Sequence, residues 1–144
     1  MRTATELNIY GRDYLPGRFG IHIEAADASS PGCVTATLVV TKALMAPNDC
    51  LHGGAYMVLA DTAAGYGCMN SLPEGADGFL TVEMKSNHLG TARDGCVCCI
   101  ARPVHRGRTT QVWDATITHV DSGRTLVLFR CTQLLLYPRA VQAR

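Results

Sequence analysis

Residues 51–71 read LHGGAYMVLADTAAGYGCMNS, a stretch dominated by Ala, Met, Leu, Tyr and Gly. It is too long for a typical strand and holds few β-branched residues, so it predicts a buried helix from Gly53 to about Ser71. Glycine costs about 1 kcal/mol relative to alanine inside a helix, and Gly65 and Gly67 both lie in this one. They indicate that either the packed sheet or a ligand comes close to the helix, and close helix–sheet packing is the preferred interpretation.

Strand patterns flank the helix on both sides. Residues 20–25 alternate apolar and polar side chains, residues 29–32 have a turn composition, and residues 33–40 are rich in β-branched residues, which together predict a hairpin. Four further β-rich stretches follow the helix, at roughly 79–89, 95–105, 109–120 and 124–136. A single apolar helix can bury itself against such a meander only by lying across the concave face of the sheet. The sequence therefore predicts an α+β fold, with one long central helix wrapped by a curled antiparallel β-sheet.

Length and composition predict one compact domain. The chain has 144 residues, of which 47% are hydrophobic and 17% charged, enough for a single core. We assign residues 17–137 to this domain, residues 1–16 to an N-terminal extension and residues 138–144 to a C-terminal tail. With a net charge of +1, no overall field attracts nucleic acid or an anionic membrane. Because the sequence shows no apolar leader and no uncharged apolar run of about 18 residues, we expect a soluble, cytoplasmic protein.

The seven cysteines are odd in number and follow no repeated spacing, which argues against a disulfide framework. The densest group is Cys96, Cys98 and Cys99. On a strand the first two would lie on one face and the third on the other, so the three thiolates could not converge on one zinc ion. Neither a metal site nor a cofactor is therefore predicted. The lack of a glycine-rich phosphate loop after a strand also argues against nucleotide chemistry.

Asp61 is the residue that most strongly indicates a function. Apart from His52, it is the only acidic or basic residue between Leu51 and Leu72. An unpaired carboxylate in such apolar surroundings is costly to bury or shifts its pKa upward. Two explanations fit it: a structural carboxylate that pairs with a cation or caps a backbone amide, or a catalytic base or nucleophile tuned by burial.

The segment His52-Gly53-Gly54 favours the catalytic explanation. It lies where a loop enters the helix, and glycine there lets a ligand approach the free N–H groups of the first helical turn. A carbonyl oxygen at Gly53 N–H would be polarised by the amide and by the helix dipole. Asp61 lies about two and a half turns beyond His52, so a facing protomer could be needed to bring a carboxylate to the same carbonyl.

The sequence resembles the hotdog-fold acyl-CoA thioesterases, in particular the branch associated with phenylacetate degradation. The resemblance covers roughly residues 17–136 and depends mainly on the His-Gly-Gly step with an acid nine residues after the histidine. The matching segments are Leu51-His52-Gly53-Gly54, Leu59-Ala60-Asp61-Thr62-Ala63, Thr81-Val82-Glu83-Met84-Lys85, Asn87-His88-Leu89 and Gly107-Arg108. The fold that this resemblance implies, the hotdog fold, is the helix-in-sheet domain predicted above.

The resemblance implies hydrolysis of an acyl-CoA thioester to a free acid and coenzyme A, without a cofactor. Gly53 corresponds to the amide that polarises the carbonyl, and Asp61 to the general base or nucleophile, acting from the opposite protomer. His52 corresponds to an orienting residue or to one beside the leaving thiolate, and Thr81 to a residue that holds the water. The residues that would contact the substrate are Gly54, Asn87 and His88. The implied assembly is a homodimer that pairs into a homotetramer, and from the charge balance we expect no nucleic acid or membrane partner.

Three positions depart from the pattern of the family. Members often carry Asn or Gln six residues before the histidine, where this chain has Ala46, and Asn48 is the candidate substitute. The glycine common three residues before the histidine is Asp49 here, which we interpret as a solvated or capping loop acid. The arginine often found near coenzyme A is absent at Gly90. The candidates left for phosphate contacts are Arg93, Arg106 and Arg108.

Two other functions stay open on the sequence. A hotdog-fold dehydratase or hydratase of acyl thioesters would use a histidine and an acid for proton transfer across a double bond, and His52 and Asp61 are of those types. A non-catalytic acyl-CoA-binding module would keep the pocket without the chemistry, and Ala46 is the feature that favours it.

Overall fold

The computed structural model describes residues 1–27 and 32–138. Its helices are α1 (Ala4–Gly11), α2 (Leu15–Phe19) and α3 (Gly53–Asn70), with a short 3₁₀ helix at Lys42–Leu44. Its strands are β1 (His22–Ala26), β2 (Val34–Val39), β3 (Gly78–His88), β4 (Cys96–Arg106), β5 (Thr110–His119) and β6 (Thr125–Leu136). Most of the turn predicted at residues 29–32, and all of the predicted tail after residue 138, lie outside the described residues.

These strands form one six-stranded antiparallel sheet in the order β1-β2-β4-β5-β6-β3. The chain leaves β2, passes through α3 and returns as β3 at the far edge of the sheet. The helix contacts every strand from β2 to β6, so the curled sheet wraps it. The predicted α+β architecture, with one central helix inside the sheet, is confirmed.

Small side chains on the inner face of α3 allow the sheet to come close. Leu59, Ala60 and Ala63 have no exposed surface. A Cβ atom added at Gly67 would lie 2.4 Å from the carbonyl oxygen of Gly32 and 2.5 Å from Cζ3 of Trp113. Such distances leave no room for a methyl group. The interpretation of Gly67 as a point of close helix–sheet packing is therefore confirmed.

A buried glutamine fastens the C-terminal end of α3 to the sheet. Gln111 has no exposed surface. Its Nε2 donates to the carbonyl oxygen of Ser71 at 3.0 Å, and its Oε1 accepts from the indole Nε1 of Trp113 at 3.0 Å. Because a carbonyl only accepts and an indole only donates, the orientation of this carboxamide is fixed.

The first residues of the chain form two helices, which the sequence reading did not predict. Thr3 and Glu6 make a reciprocal capping box at the start of α1. Leu7 is fully buried in the core. The Asn8 side chain bonds both backbone groups of Ile23, donating to its carbonyl at 2.9 Å and accepting from its N–H at 2.8 Å. The extension therefore covers the outer edge of β1.

The cysteines of β4 alternate between the two faces as predicted. Cys99 is fully buried, and Cys96 and Cys98 are half-buried on the other face. Within residues 1–27 and 32–138, no group of three His, Cys, Asp or Glu side chains is placed to hold a metal ion. The same ranges contain no helix that is long and apolar enough to cross a membrane.

Candidate active site

The first turn of α3 presents one open backbone N–H group. His52 caps the helix: its Nδ1 accepts a hydrogen bond of 2.8 Å from Gly54 N–H, which leaves the ring proton of the neutral imidazole on Nε2. The N–H of Gly53 donates to no other residue in the described part of the chain. Together with the helix dipole, this free amide is suited to hold a carbonyl oxygen on which negative charge develops.

Asp61 lies on the same helix, half-buried, and forms no ion pair with any described residue. Thr81 on β3 donates to its Oδ1 at 3.2 Å. Burial raises the pKa of Asp61 above its ordinary value, and the hydrogen bond from Thr81 opposes part of that rise. A carboxyl group in this state is an effective general base, because it holds an accepted proton more readily than an exposed aspartate does.

Thr81 also contacts a second buried glutamine. Its Oγ1 lies 2.8 Å from Oε1 of Gln133, which has no exposed surface. The sequence reading missed Gln133. A signal was present, since Gln133 occupies an inward position of β6 between buried Cys131 and Leu135, where an apolar side chain is the rule.

One stripe of α3 is incompletely covered by the described part of the chain. It consists of the partly exposed residues Gly54, Met57, Val58, Asp61 and Thr62. Their spacing of three and four residues places them on one face of the helix. Gly53 and Asp61 are separated by eight residues, or about 12 Å along the axis.

His88 and Asn87 point to opposite sides of β3. A Cβ atom at Gly53 would lie 3.6 Å from Cε1 of His88, so this imidazole borders the open amide. His88 Nε2 is 2.9 Å from Ser86 Oγ, and its ring meets Tyr56 edge-on. Asn87 accepts from Lys85 Nζ at 3.1 Å, on the face away from α3. Of the two substrate contacts predicted on β3, His88 lies beside Gly53 and Asn87 does not.

Residues 48–126, more than half of the chain, match the family model of the Thioesterase superfamily. This chain belongs to that superfamily. The 1,4-dihydroxy-2-naphthoyl-CoA hydrolase of Escherichia coli (strain K12) is 32% identical over 137 residues, which cover 93% of this chain and 95% of that protein.

Two solved structures, one of them of a thioesterase, have the same fold. A crystal structure of a mutant thioesterase PA1618 from Pseudomonas aeruginosa aligns with a TM-score of 0.88 and 30% identity, over 96% of each chain. The PaaI protein of the E. coli phenylacetic acid degradation operon aligns with a TM-score of 0.78 and 26% identity, over 89% of this chain and 88% of that one. The predicted resemblance to PaaI-like hotdog thioesterases is confirmed.

The loop before His52 is held by local contacts in this thioesterase. Asn48 turns its Oδ1 back to the N–H of Cys50 at 3.3 Å, and the side chain is exposed. Asp49 has φ 57°, a left-handed conformation that no other non-glycine residue within the described ranges adopts, which explains why glycine suits this position. Its carboxylate pairs with Lys42, so it behaves as the solvated loop acid that we expected. The methyl group of Ala46 offers no polar contact.

The predicted phosphate-binding arginines do not form one cluster within a protomer. Arg93 Nη1 donates to the carbonyl oxygens of Asn48 and Asp49, at 3.3 and 3.4 Å, and so braces the loop before His52. Arg106 and Arg108 are exposed at the far end of β4. The length of that strand separates them from Arg93 by about 30 Å.

A groove beside Arg93 contains an arginine that sequence reasoning missed. The groove has a volume of about 380 Å³ and is lined in part by Arg93, Asp94, His119, Ser122 and Arg124. Nη2 of Arg124 lies 3.1 Å from the position of a Cβ atom at Gly90. Arg124 therefore brings its guanidinium to the place where the family arginine, absent at Gly90, would begin.

An apolar pocket of about 390 Å³ opens next to the N-terminus of α3. His52 and Gly54 line one side of it. The apolar side chains around the rest of it are Phe19, Ala43, Leu44, Met45, Ala55 and Val58. Leu51 contacts a lining residue of each concavity: it forms an isolated β-bridge with Met45 of the pocket, and its N–H donates to the carbonyl oxygen of Ala92 of the groove at 2.8 Å.

Proposed function

We propose that this thioesterase hydrolyses acyl-CoA, in active sites formed between two protomers. One observation carries the proposal: half-buried Asp61, which forms no ion pair with a described residue, and the Gly53 N–H, which donates to none, share one helix but stand about 12 Å apart along it. That separation is too large for both to act on one carbonyl within a single chain.

Two copies of α3 packed antiparallel would solve this separation. If a two-fold axis passes near Met57, which lies midway between them, Asp61 of one copy faces Gly53 of the other. Met57 belongs to the incompletely covered stripe of α3, which a partner helix would bury.

The sheet edge supports the same homodimer. β3 pairs only with β6 among the strands of the described chain. It exposes apolar side chains at Leu80, Val82 and Met84, with 48 to 56% of their surface accessible. An exposed apolar edge strand is a ready pairing site for the same strand of a second copy. The resemblance further implies a tetramer, formed as a dimer of dimers.

The proposed chemistry balances without a cofactor. The thioester carbonyl oxygen accepts from Gly53 N–H, and Asp61 of the partner protomer takes a proton from water while the water oxygen bonds to the carbonyl carbon. The tetrahedral intermediate then collapses, and the C–S bond breaks. The coenzyme A thiolate leaves beside His52 Nε2–H and receives the proton held by Asp61. If Asp61 acts instead as a nucleophile, it forms an anhydride that water cleaves, and it must equally begin ionised.

The pocket and the groove match the two ends of an acyl-CoA molecule in chemical character. The apolar pocket at His52 and Gly54 suits an acyl chain, and the groove with Arg93 and Arg124 suits the phosphates of coenzyme A. A similar chain, the E. coli hydrolase, is named for an aromatic acyl-CoA. A panel of aryl, short and medium aliphatic acyl-CoA substrates, assayed for released thiol, tests the proposal. Binding of acyl-CoA without thiol release from any of them would contradict it.

Arg124→Ala is expected to raise KM for acyl-CoA about tenfold and to leave kcat nearly unchanged, because it removes a charged contact to a phosphate far from the thioester. The matched assay uses the same acyl group on pantetheine, which lacks the nucleotide, and KM should not change there. Arg12→Ala, which removes an exposed arginine paired with Asp13, is the control. Equal losses on both substrates would contradict a phosphate contact.

A further inference from the structure

Four polar groups form a hydrogen-bonded series that runs from Cys131 and Gln133, which are fully buried, through Thr81 to half-buried Asp61. Thr81 lies opposite Gln133 in the register of β3 and β6. Thr81 Oγ1 is 3.2 Å from Asp61 Oδ1 and 2.8 Å from Gln133 Oε1. Gln133 Nε2 is 3.4 Å from Cys131 Sγ. Gln133 and Cys131 have no exposed surface, so water does not complete their hydrogen bonds.

The number of available protons limits how these four groups can hydrogen-bond with one another. The hydroxyl of Thr81 carries one proton, whereas an ionised Asp61 and a carboxamide oxygen only accept. Thr81 cannot donate to both. With Oε1 of Gln133 facing Thr81, each of the three contacts contains a proton donor only if Asp61 is protonated. Asp61 then donates to Thr81, Thr81 donates to Gln133 Oε1, and Gln133 Nε2 donates to the sulfur of Cys131.

The reverse orientation of the carboxamide suits an ionised Asp61. Gln133 Nε2 then donates to Thr81 Oγ1, Thr81 donates to the carboxylate, and the Cys131 thiol donates to Gln133 Oε1. The two orientations differ by a half-turn about the last side-chain bond of Gln133, and apart from that turn only the hydrogens of the Thr81 hydroxyl, the Cys131 thiol and the Asp61 carboxyl change place. Cys131 keeps its proton in both, because burial raises the pKa of its thiol to about 12.

We propose that Gln133 is a positioning residue that holds Asp61 through Thr81, and that its carboxamide reverses when Asp61 gains or loses a proton. This inference rests on the proposed role of Asp61, which takes a proton from water and later returns it to the leaving thiolate. The Gln133 carboxamide then offers Thr81 an acceptor when Asp61 is protonated and a donor when Asp61 is ionised. Gln111, which Trp113 and the Ser71 carbonyl hold in one orientation, has no such freedom.

Four other titratable groups near Asp61 do not take over the role of Thr81 and Gln133 in holding its carboxyl group. Cys131 on β6 is electrostatically coupled to Asp61, to Cys68 on α3 and to Glu83 on β3. Cys68 stays a neutral thiol, since burial raises its pKa to about 12. Glu83 is exposed on the outer side of β3 and accepts from Thr132 Oγ1 at 3.2 Å. Arg130, the nearest cation on β6, is held by Asp114 in a two-pronged ion pair of 2.6 and 2.7 Å.

The direct test follows the side-chain NH₂ resonances of the glutamines by NMR while Asp61 is titrated in the full-length protein. The Gln133 resonances should titrate with the midpoint of the Asp61 carboxyl carbon. Their protons should move downfield as Asp61 ionises, because the NH₂ exchanges a sulfur acceptor for an oxygen. Gln111 should not titrate, and neither glutamine should titrate in Asp61→Asn. A titrating Asp61 beside an unchanged Gln133 would overturn the proposal.

Kinetics provide the second readout. Gln133→Leu should lower kcat about tenfold with little change in KM, and should have no further effect in a Thr81→Val background, because the two residues act in series. Equal losses with and without the Thr81 hydroxyl would indicate a general packing defect and would overturn the positioning role. The NMR titration needs no turnover, so it tests the reversal of the Gln133 carboxamide even if Asp61 is not catalytic. A failure of that reversal can therefore be told apart from a failure of the proposed catalytic role of Asp61.

Discussion

Asp61→Asn is expected to lower kcat about a thousandfold, because an amide can neither take a proton from water nor attack a carbonyl. The change keeps the shape of the side chain and its contact with Thr81, so KM should change little. Thiol release from saturating acyl-CoA measures the effect. Asp13→Asn, which removes an exposed carboxylate next to Arg12, is the matched control and should retain full activity. A wild-type kcat in Asp61→Asn would remove Asp61 from the mechanism.

The same variant should be more stable than the wild type at neutral pH. Burial raises the pKa of Asp61 in the folded protein, so its protonated form stabilises the fold. That contribution is complete below the pKa of an unfolded carboxyl group and is lost as the pH rises through the higher folded-state pKa. An asparagine has no such loss. The difference in Tm between Asp61→Asn and the wild type should therefore vanish in acid. If Asp61→Asn were less stable than the wild type at neutral pH, burial would not be destabilising the ionised carboxylate.

Gly67→Ala is expected to lower the free energy of unfolding by about 2 kcal/mol, although alanine favours a helix by about 1 kcal/mol. The added methyl would lie 2.4 Å from the Gly32 carbonyl oxygen and 2.5 Å from the Trp113 ring, and the backbone oxygen cannot move aside cheaply. Urea unfolding measures the change.

Gly65→Ala is the control for that experiment within the same helix. Its Cβ atom would meet only the tip of the Phe79 ring, at 3.2 Å, and a side chain can shift by a few tenths of an ångström. The gain in helix propensity should then offset most of the crowding. Equal free energies of unfolding for the two variants would show that the sheet does not pack closely against α3 at Gly67.

Local signals explain why most of the fold could be predicted from the sequence. The helix was expected from Gly53 to about Ser71 and runs from Gly53 to Asn70, because its composition and length leave no alternative. The last four strands begin and end within one or two residues of the expected positions. The helices α1 and α2 were missed because they are short: the capping box of Thr3 and Glu6 is a local signal for α1, but contacts that are distant in sequence, such as that of Asn8 with Ile23, fix the helix on the sheet.

In the candidate site, too, residues that are close in sequence could be predicted, and residues brought together only by the fold could not. His52, Gly53 and Asp61 could be identified together because they lie on one continuous stretch of the chain. Gln133 and Arg124 could not, because only the strand register brings Gln133 against Thr81, and only the β5–β6 turn brings Arg124 over Gly90. The side of β3 on which His88 lies also escapes the sequence, since an irregularity between Thr81 and Glu83 changes the alternation.

Hybrid dimers test the central claim most directly. One protomer carries Asp61→Asn and the other Gly53→Val, which places a side chain where the carbonyl oxygen would bind, and two different tags allow the hybrid to be purified. Each variant alone should be inactive. If Asp61 of one protomer serves Gly53 of the other, the hybrid keeps one intact site and about half of the wild-type activity. An inactive hybrid would show that both residues act within one chain, and would contradict the account.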